Sequence, residues 1–433
     1  MRVVCRYKTL IHSGLTDMRL IFFQKQPTRS AFSTEQALST GRLLSSSATF
    51  SLFSLARYIA TGLIFVVAAG AVAQKTVGER LAADLTWTQV QRDARFAHMD
   101  RVFPVHWVHR GASVLGLPRG RNLLPANEIT GYMHAEHLAG VLVLVDGAIR
   151  EERYGLGLTR AGQWTSFSVT KAVTDTLAGV ALRNGQLSSL EENIASALPE
   201  MSGSAYDSVT VRQLMTMTSG VRWRENYTSL DADNVRLYST PAPVGMNSTV
   251  AYMRALPREV AAGTRWQYNT GETDLLGVVL RRVTGRSLAE QLSEAVWKRA
   301  GMQQDAMWIA TALGKDGEEF GGSGLSASLR DFGRLGLWVL RGGDGAVPQN
   351  WFQQATSAQV RASDASYGYG WWPQQDGAFA ARGIFGQSIF IDPQRKLVVV
   401  TLGDWESATG AAHSQARADF WRRVQGAVDA ESR

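Results

Sequence analysis

The order of patterns in this sequence predicts an α+β fold. One antiparallel β-sheet is built from both ends of the body, flanked by helices, and a mostly helical subdomain is inserted between its halves. Three observations predict it. Leu138–Gly155, LAGVLVLVDGAIREERYG, holds two extended runs around Asp146-Gly147, a strong hairpin signal. Gln387–Asp404, QSIFIDPQRKLVVVTLGD, gives a second hairpin around Asp392-Pro393. Between the two lie mostly helical patterns, so strands come early and late with helices in the middle.

The chain has 433 residues, 45% hydrophobic and 19% charged, the balance of a globular protein. Its formal charge of +7 is concentrated at the start, because residues 1–73 hold eight basic and two acidic side chains. The rest is nearly neutral and lacks the charge excess that phosphate binding requires, so no nucleic-acid partner is expected. The single cysteine, Cys5, also lies in that first stretch. The remainder therefore has no disulfide, no cysteine metal ligand and no cysteine nucleophile, which suits an oxidising compartment.

Residues 1–73 read as a leader and residues 74–433 as a single catalytic domain. The run Ile59–Ala73 is apolar and uncharged, follows Arg57, and ends in Ala71-Val72-Ala73. It is short for a bilayer span, which needs about 20 residues. The small-x-small ending is that of a secretory cleavage site. Cleavage after Ala73 is expected, with a periplasmic or secreted product and no stable membrane span afterwards; a buried N-terminal helix is the alternative. Residues 1–50 fit a disordered extension or an overlong start, with Met18 or a later codon as the true beginning.

In the body, residues 74–137 carry helical stretches and the connector LPRGRNLLP. After the first hairpin comes TSFSVTKAVTDTLAGVALRNG, Thr165–Gly185. Ala172, Val173, Leu177, Val180 and Ala181 form the apolar stripe of a helix that Asn184-Gly185 stops. Ser168 falls at its N-terminus, where free N–H groups and the helix dipole favour developing negative charge. Lys171, three residues on, shares its face. Held beside Ser168 in a partly desolvated cleft, it can take the hydroxyl proton. This is the only Ser-x-x-Lys in the chain.

Two further segments bear on the chemistry. In RWQYNTGETDLLGVVLRRVTG, Arg265–Gly285, Tyr268-Asn269-Thr270 precedes another apolar helix. A Tyr beside a Lys cation can be stabilised as phenolate and act as general base or acid; a cleft-lining aromatic with a Thr N-cap is the plainer reading. In ARGIFGQSIFIDP, Gly383 and Gly386 bracket the start of a strand. A backbone N–H there can approach a substrate closely and, with that of Ser168, form an oxyanion hole. Farther along, Ser287-Leu-Ala-Glu290 is a capping box, and Ala412–Ala430 reads as a closing amphipathic helix.

Other patterns are weaker. HAEH at His134–His137 is neither H-E-x-x-H nor H-x-x-E-H, so no metal is expected, and His106 and His109 read as packing or surface residues. No G-x-S-x-G elbow is present. Trp371-Trp372 reads as core, with one ring able to line the cleft.

Ser168-x-x-Lys171, then Tyr268-x-Thr270, then the Gly383-led strand resemble in order the serine β-lactamase and penicillin-binding superfamily. VTVRQLMTMTSGVRW, GGSGLSASLRDFGRLG and YGYGWW extend the resemblance to its class C-like branch. That branch includes esterases and 6-aminohexanoate-dimer hydrolases, and FSVTK, MTSGV and GIFGQ most resemble the latter. The resemblance implies a β-lactamase/transpeptidase-like fold and an acyl-enzyme hydrolase of a small-molecule ester or amide, with no cofactor and no metal. Ser168 would be the nucleophile, Lys171 its activating partner, and Tyr268 the proton shuttle. The backbone N–H groups of Ser168 and Gln387 would hold the oxyanion, and Tyr227, Thr270, Phe385 and Gly386 would line the substrate. Departures are visible. Ile384-Phe385-Gly386 stands where β-lactamases carry Lys-Thr-Gly, Thr270 replaces the Asn of class C enzymes, and no Asn accompanies Gly321-Gly322. The alternatives left open are a D-Ala-D-Ala carboxypeptidase or β-lactamase, and an inactive ligand-binding relative.

Overall fold

A computed structural model of the chain describes residues 77–361 and 366–433. The expected cleavage after Ala73, and Cys5, lie outside the described residues. Among those described, no helix is long and apolar enough to cross a membrane.

The main sheet has six antiparallel strands. In chain order they are β1 (Leu138–Val145), β2 (Ala148–Tyr154), β3 (Trp372–Pro373), β4 (Phe379–Arg382), β5 (Ser388–Asp392) and β6 (Leu397–Gly403). Across the sheet the order is β2-β1-β6-β5-β4-β3, so the two hairpins meet where β1 pairs with β6. Asp146 and Gly147 both have positive φ, +49° and +77°, as a two-residue turn matched to strand twist demands. In the second hairpin the Asp392 carboxylate accepts from Gln394 N at 3.0 Å and from Arg395 Nη1 at 2.7 Å, which closes a longer loop.

β1 and β6 are apolar at nearly every position because both faces of the sheet are covered. Val141, Val143, Leu397 and Val399 pack with Phe420, Trp421 and Val424 of the closing helix. Leu142, Leu144, Val398 and Val400 face the opposite core. The helices that matter here are α1 (Val77–Asp84), α2 (Val169–Arg183), α3 (Thr270–Thr284), α4 (Leu329–Leu340) and α5 (Ala411–Glu431). α4 lies tightly on the sheet through two glycines. A Cβ on Gly333 would stand 2.5 Å from Leu142, and one on Gly336 2.5 Å from Val398. A second sheet of four short strands, Val105–Val108, Ala306–Ile309, Leu325–Ala327 and Trp164–Thr165, leads the chain into α2. Several helices, α3 among them, fill the interval between the hairpins, as the sequence order requires.

α2 departs from expectation. It is enclosed on every side, with Val169 through Ala181 all buried, so its polar face is interior as well. Asn184 and Gly185 end it as expected, with Gly185 at φ +73°.

Candidate active site

Ser168 is the N-cap of α2, and its hydroxyl makes no capping bond. It is instead the partner of Lys171, whose Nζ donates to Ser168 Oγ at 2.9 Å and to the Gly322 carbonyl at 2.8 Å. Lys171 is only 1% exposed. The sequence places it on a cleft-facing turn; the structure encloses it because α3 and the Gly321-Gly322 segment close over α2. α3 fixes that segment. Asp274 accepts from Gly322 N at 2.6 Å and from Tyr238 OH at 2.8 Å. Burial pushes the Asp274 carboxyl up to about 6.

Tyr268 stands beside this pair, with Lys171 Nζ 5.2 Å from its ring centroid. Burial raises its pKa, while Lys171 and hydrogen bonding from Ser168 pull it down, and the net shift is upward. Tyr268 therefore rests as the protonated phenol, not as the phenolate that a neighbouring cation alone would favour. The α3 helix is capped by Asn269, whose side chain accepts from Glu272 N, and not by Thr270. That leaves the Thr270 hydroxyl and N–H to donate to Glu225 at 2.5 and 2.9 Å. Trp372 is stacked on Tyr268 at 5.9 Å, whereas Trp371 is core against Phe379.

Gly383–Gln387 forms the facing wall. Among the described residues neither the Ser168 nor the Gln387 backbone N–H has an acceptor. The Gln387 side chain is locked, giving a bond to Gly403 O at 2.7 Å and taking one from Gly403 N at 3.0 Å. Two non-glycine residues with left-handed backbones flank these amides: Phe167 at φ +46° and Phe385 at φ +59°. Such conformations cost about 1–3 kcal/mol and persist only where packing enforces them. Here the two rings pack together at 5.5 Å, and both pack on Phe96. The Phe385 ring therefore faces the core. Phe385, expected to line the substrate, is not among the residues lining the pocket at Ser168, whereas Ile384 is. Gly386, at φ +94°, is pressed against Trp405 and presents no side chain.

The pocket at Ser168 is narrow, about 50 Å³. Tyr227 and Thr270 line it as expected, and Tyr227 OH donates to Glu225 at 2.7 Å. Glu225, Tyr238, Asn234 and Ser323 also line it, as do Leu81 and Asp84 of α1. Burial pushes the Asp84 carboxyl up to about 8. None of these six was singled out from the sequence. Glu225 sits in an ordinary polar stretch, RENY, and only its four contacts reveal it.

The carboxylates of Asp93 and Asp404 and the ring of His137 offer atoms within 4.8 Å of one another, the one such trio among the described residues. His137 is engaged by Asp93 at 3.0 Å and Asp404 by Arg92 at 2.5 Å. The trio is thus part of a charge network that includes a cation, and it does not line the Ser168 pocket.

The sequence model described as Beta-lactamase matches residues 126–420. The chain belongs to the β-lactamase family. A 6-aminohexanoate-dimer hydrolase of Paenarthrobacter ureafaciens is 26% identical over 287 residues, covering 61% of this chain and 72% of that protein. A solved structure from Bacillus anthracis, named for 6-aminohexanoate-dimer hydrolase, has a TM-score of 0.68 at 22% identity, covering 78% of this chain and 94% of that one. EstCE1, a hydrolase with promiscuous acyltransferase activity, superposes with a TM-score of 0.55 at 17% identity over 70% of this chain and 98% of its own. These likenesses establish the β-lactamase/transpeptidase fold. The β-lactamase family match begins at Ala126, so Leu81, Asp84 and Phe96 come from a segment that precedes it.

Proposed function

We propose that the protein is a serine hydrolase that cleaves a carboxylic ester or amide through an acyl-enzyme. The observation that carries this reading is Lys171 Nζ at 2.9 Å from Ser168 Oγ, at a helix N-terminus beside two acceptor-free amides. In the reaction, once Lys171 has given up a proton to solvent, Ser168 Oγ attacks the substrate carbonyl as the hydroxyl proton passes to Lys171. The carbonyl oxygen becomes an anion held by the N–H groups of Ser168 and Gln387. Tyr268, resting as a phenol, passes its proton to the departing alkoxide or amine and recovers one from Lys171. Water then attacks the Ser168 ester along the same proton path and restores the hydroxyl. Glu225 holds Thr270 and Tyr227 in place.

The third motif brings no cation to the pocket. Arg382, the nearest candidate in sequence, does not line it and is directed instead to Trp372 and Trp421. A substrate carboxylate near the scissile bond lacks a charge-assisted partner worth about 1.5–3 kcal/mol. Simple esters should therefore exceed penicillins in kcat/KM by roughly ten- to a hundredfold. A panel of short esters, anilides and one penicillin tests this, with fluorophosphonate labelling of Ser168 as the parallel readout. Equal turnover of the penicillin would remove the ester preference. A purified protein that neither labels nor turns over any ester would return it to the inactive, ligand-binding reading.

A further inference from the structure

The chemistry above leaves unused a group of buried nitrogen donors on the α5 side of the main sheet. Arg417 of α5 is 5% exposed, and its Nε and Nη1 have no hydrogen-bond partner among the described residues. It forms no ion pair with any described residue; Glu136, whose charge reaches it, accepts from His413 Nδ1 at 2.9 Å instead. Arg382, at the end of β4, donates from Nη2 to Gln374 at 2.7 Å, but its Nε is equally unpartnered. The indole N–H groups of Trp405 and Trp421 are likewise buried without acceptors among the described residues.

The two guanidinium groups meet at one ring. Phe390 is stacked on Trp421 at 4.7 Å and covers one of its faces. Arg382 and Arg417 lie 5.6 and 5.4 Å from the Trp421 centroid. Arg417 is also 5.0 Å from Trp405, and Arg382 5.4 Å from Trp372. Aromatic faces attract a cation but do not accept its in-plane N–H groups. Two like charges so enclosed repel each other, and an unpaired buried charge is among the costliest arrangements a fold can hold. Burial and mutual repulsion bring Arg382 down to about 9, and burial brings Arg417 to about 10. What is missing, among the described residues, is an acceptor.

We propose that Arg382 and Arg417 form a binding site for a small oxyanion, a carboxylate or a phosphate, held between β4 and α5. Such a group takes the forked N–H donors of a guanidinium two at a time and neutralises the pair. A surface groove lined by Pro373, Gln374, Trp421 and Gln425 runs past the Trp421 ring and the Gln374 amide that Arg382 touches. Arg382 directly precedes the Gly383–Gln387 turn, and a Cβ on Gly386 would stand 2.7 Å from Trp405 Nε1. The occupant would thus brace the wall of the pocket from behind. The site does not depend on the catalytic reading.

Thermal unfolding and tryptophan fluorescence of the purified protein, titrated with sodium phosphate or sodium acetate against sodium chloride at equal ionic strength, test it. A saturable rise in Tm of on the order of 5 °C beyond chloride is expected near a hundredfold excess over Kd. A response to phosphate alone assigns a phosphate; an equal or larger response to acetate assigns a carboxylate. Arg417→Leu should lose the response and, in chloride, melt no lower than the parent, since it removes an uncompensated charge. Arg382→Leu should lose the response independently and serves if the first variant does not fold. No response in the parent, or a response that survives in both variants, overturns the proposal.

Discussion

Lys171 is enclosed, and that changes how its substitution is to be read. Lys171→Ala removes the partner of Ser168 Oγ and also leaves the Gly322 carbonyl buried without a donor. The second loss costs about 1–3 kcal/mol of stability, so an inactive Ala variant could merely be a loosened one. Lys171→Met fills the space of the stem but loses the same donor, so urea unfolding measured beside kcat is what separates the two effects. Both variants should lose kcat by ~10²–10⁴-fold against the best ester, the usual contribution of a positioned proton acceptor. Ser168→Ala and the double variant should leave similar residual rates, because members of one catalytic unit are not additive. A Met variant with near-parent kcat would remove Lys171 from the mechanism. Ser168 and Lys171 could be read in advance because their relation is local, three residues along one helix. Glu225 and the inward ring of Phe385 could not. The first is defined by a contact with Thr270 across 45 positions, and the second by a left-handed backbone at a residue type that rarely adopts one.

At the level of single elements, the start of α3 carries a second titratable device. Glu272, in the first turn of the helix, is buried with hydrogen bonds from Asn269 and Ser219, and burial pushes its carboxyl up to about 8. The folded protein keeps this proton through the range from 4.5 to about 8, in which an exposed glutamate has already lost it. Unfolding in that window releases a proton, so stability falls as pH rises, by at most ~1.4 kcal/mol per pH unit for one group. Asp84, Asp274 and Asp404, all raised by burial, act in the same sense. Urea unfolding between pH 5 and 8 should show a declining free energy, with a shallower decline in Glu272→Gln. An unchanged slope in that variant would mean that Glu272 is ionised in the folded state. The elements themselves were largely legible where their signals are short-range: the Asp146-Gly147 turn, the Ser287–Glu290 capping box and the Asn184-Gly185 stop all form as read. The total burial of α2 was not, since it depends on what the rest of the chain brings to the polar face of the helix.

For the whole molecule, the catalytic wall reaches back into a segment that sequence patterns mark only as helical stretches and a connector. Phe96 is fully buried against Trp164, Phe167 and Phe385, and its carbonyl accepts from Thr165 N at 3.0 Å. It supports both strained phenylalanines that flank the Ser168 and Gln387 amides. Phe96→Ala should cost about 3–5 kcal/mol and lower kcat more than KM, measurable by urea unfolding and ester kinetics. A chain shortened to begin at Ala126 should fail to give active protein; full activity from it would show that the preceding residues are dispensable. The narrow pocket adds a consequence of its own. The residues proposed to carry its chemistry stand on or beside α2, α3 and the main sheet, whereas Leu81 and Asp84 of α1 contribute to its lining. Reaction and selectivity are thus written on separable pieces of chain. Exchanging a few residues at the front of the body could give a lineage a new diet while its nucleophile, proton path and fold pass on untouched.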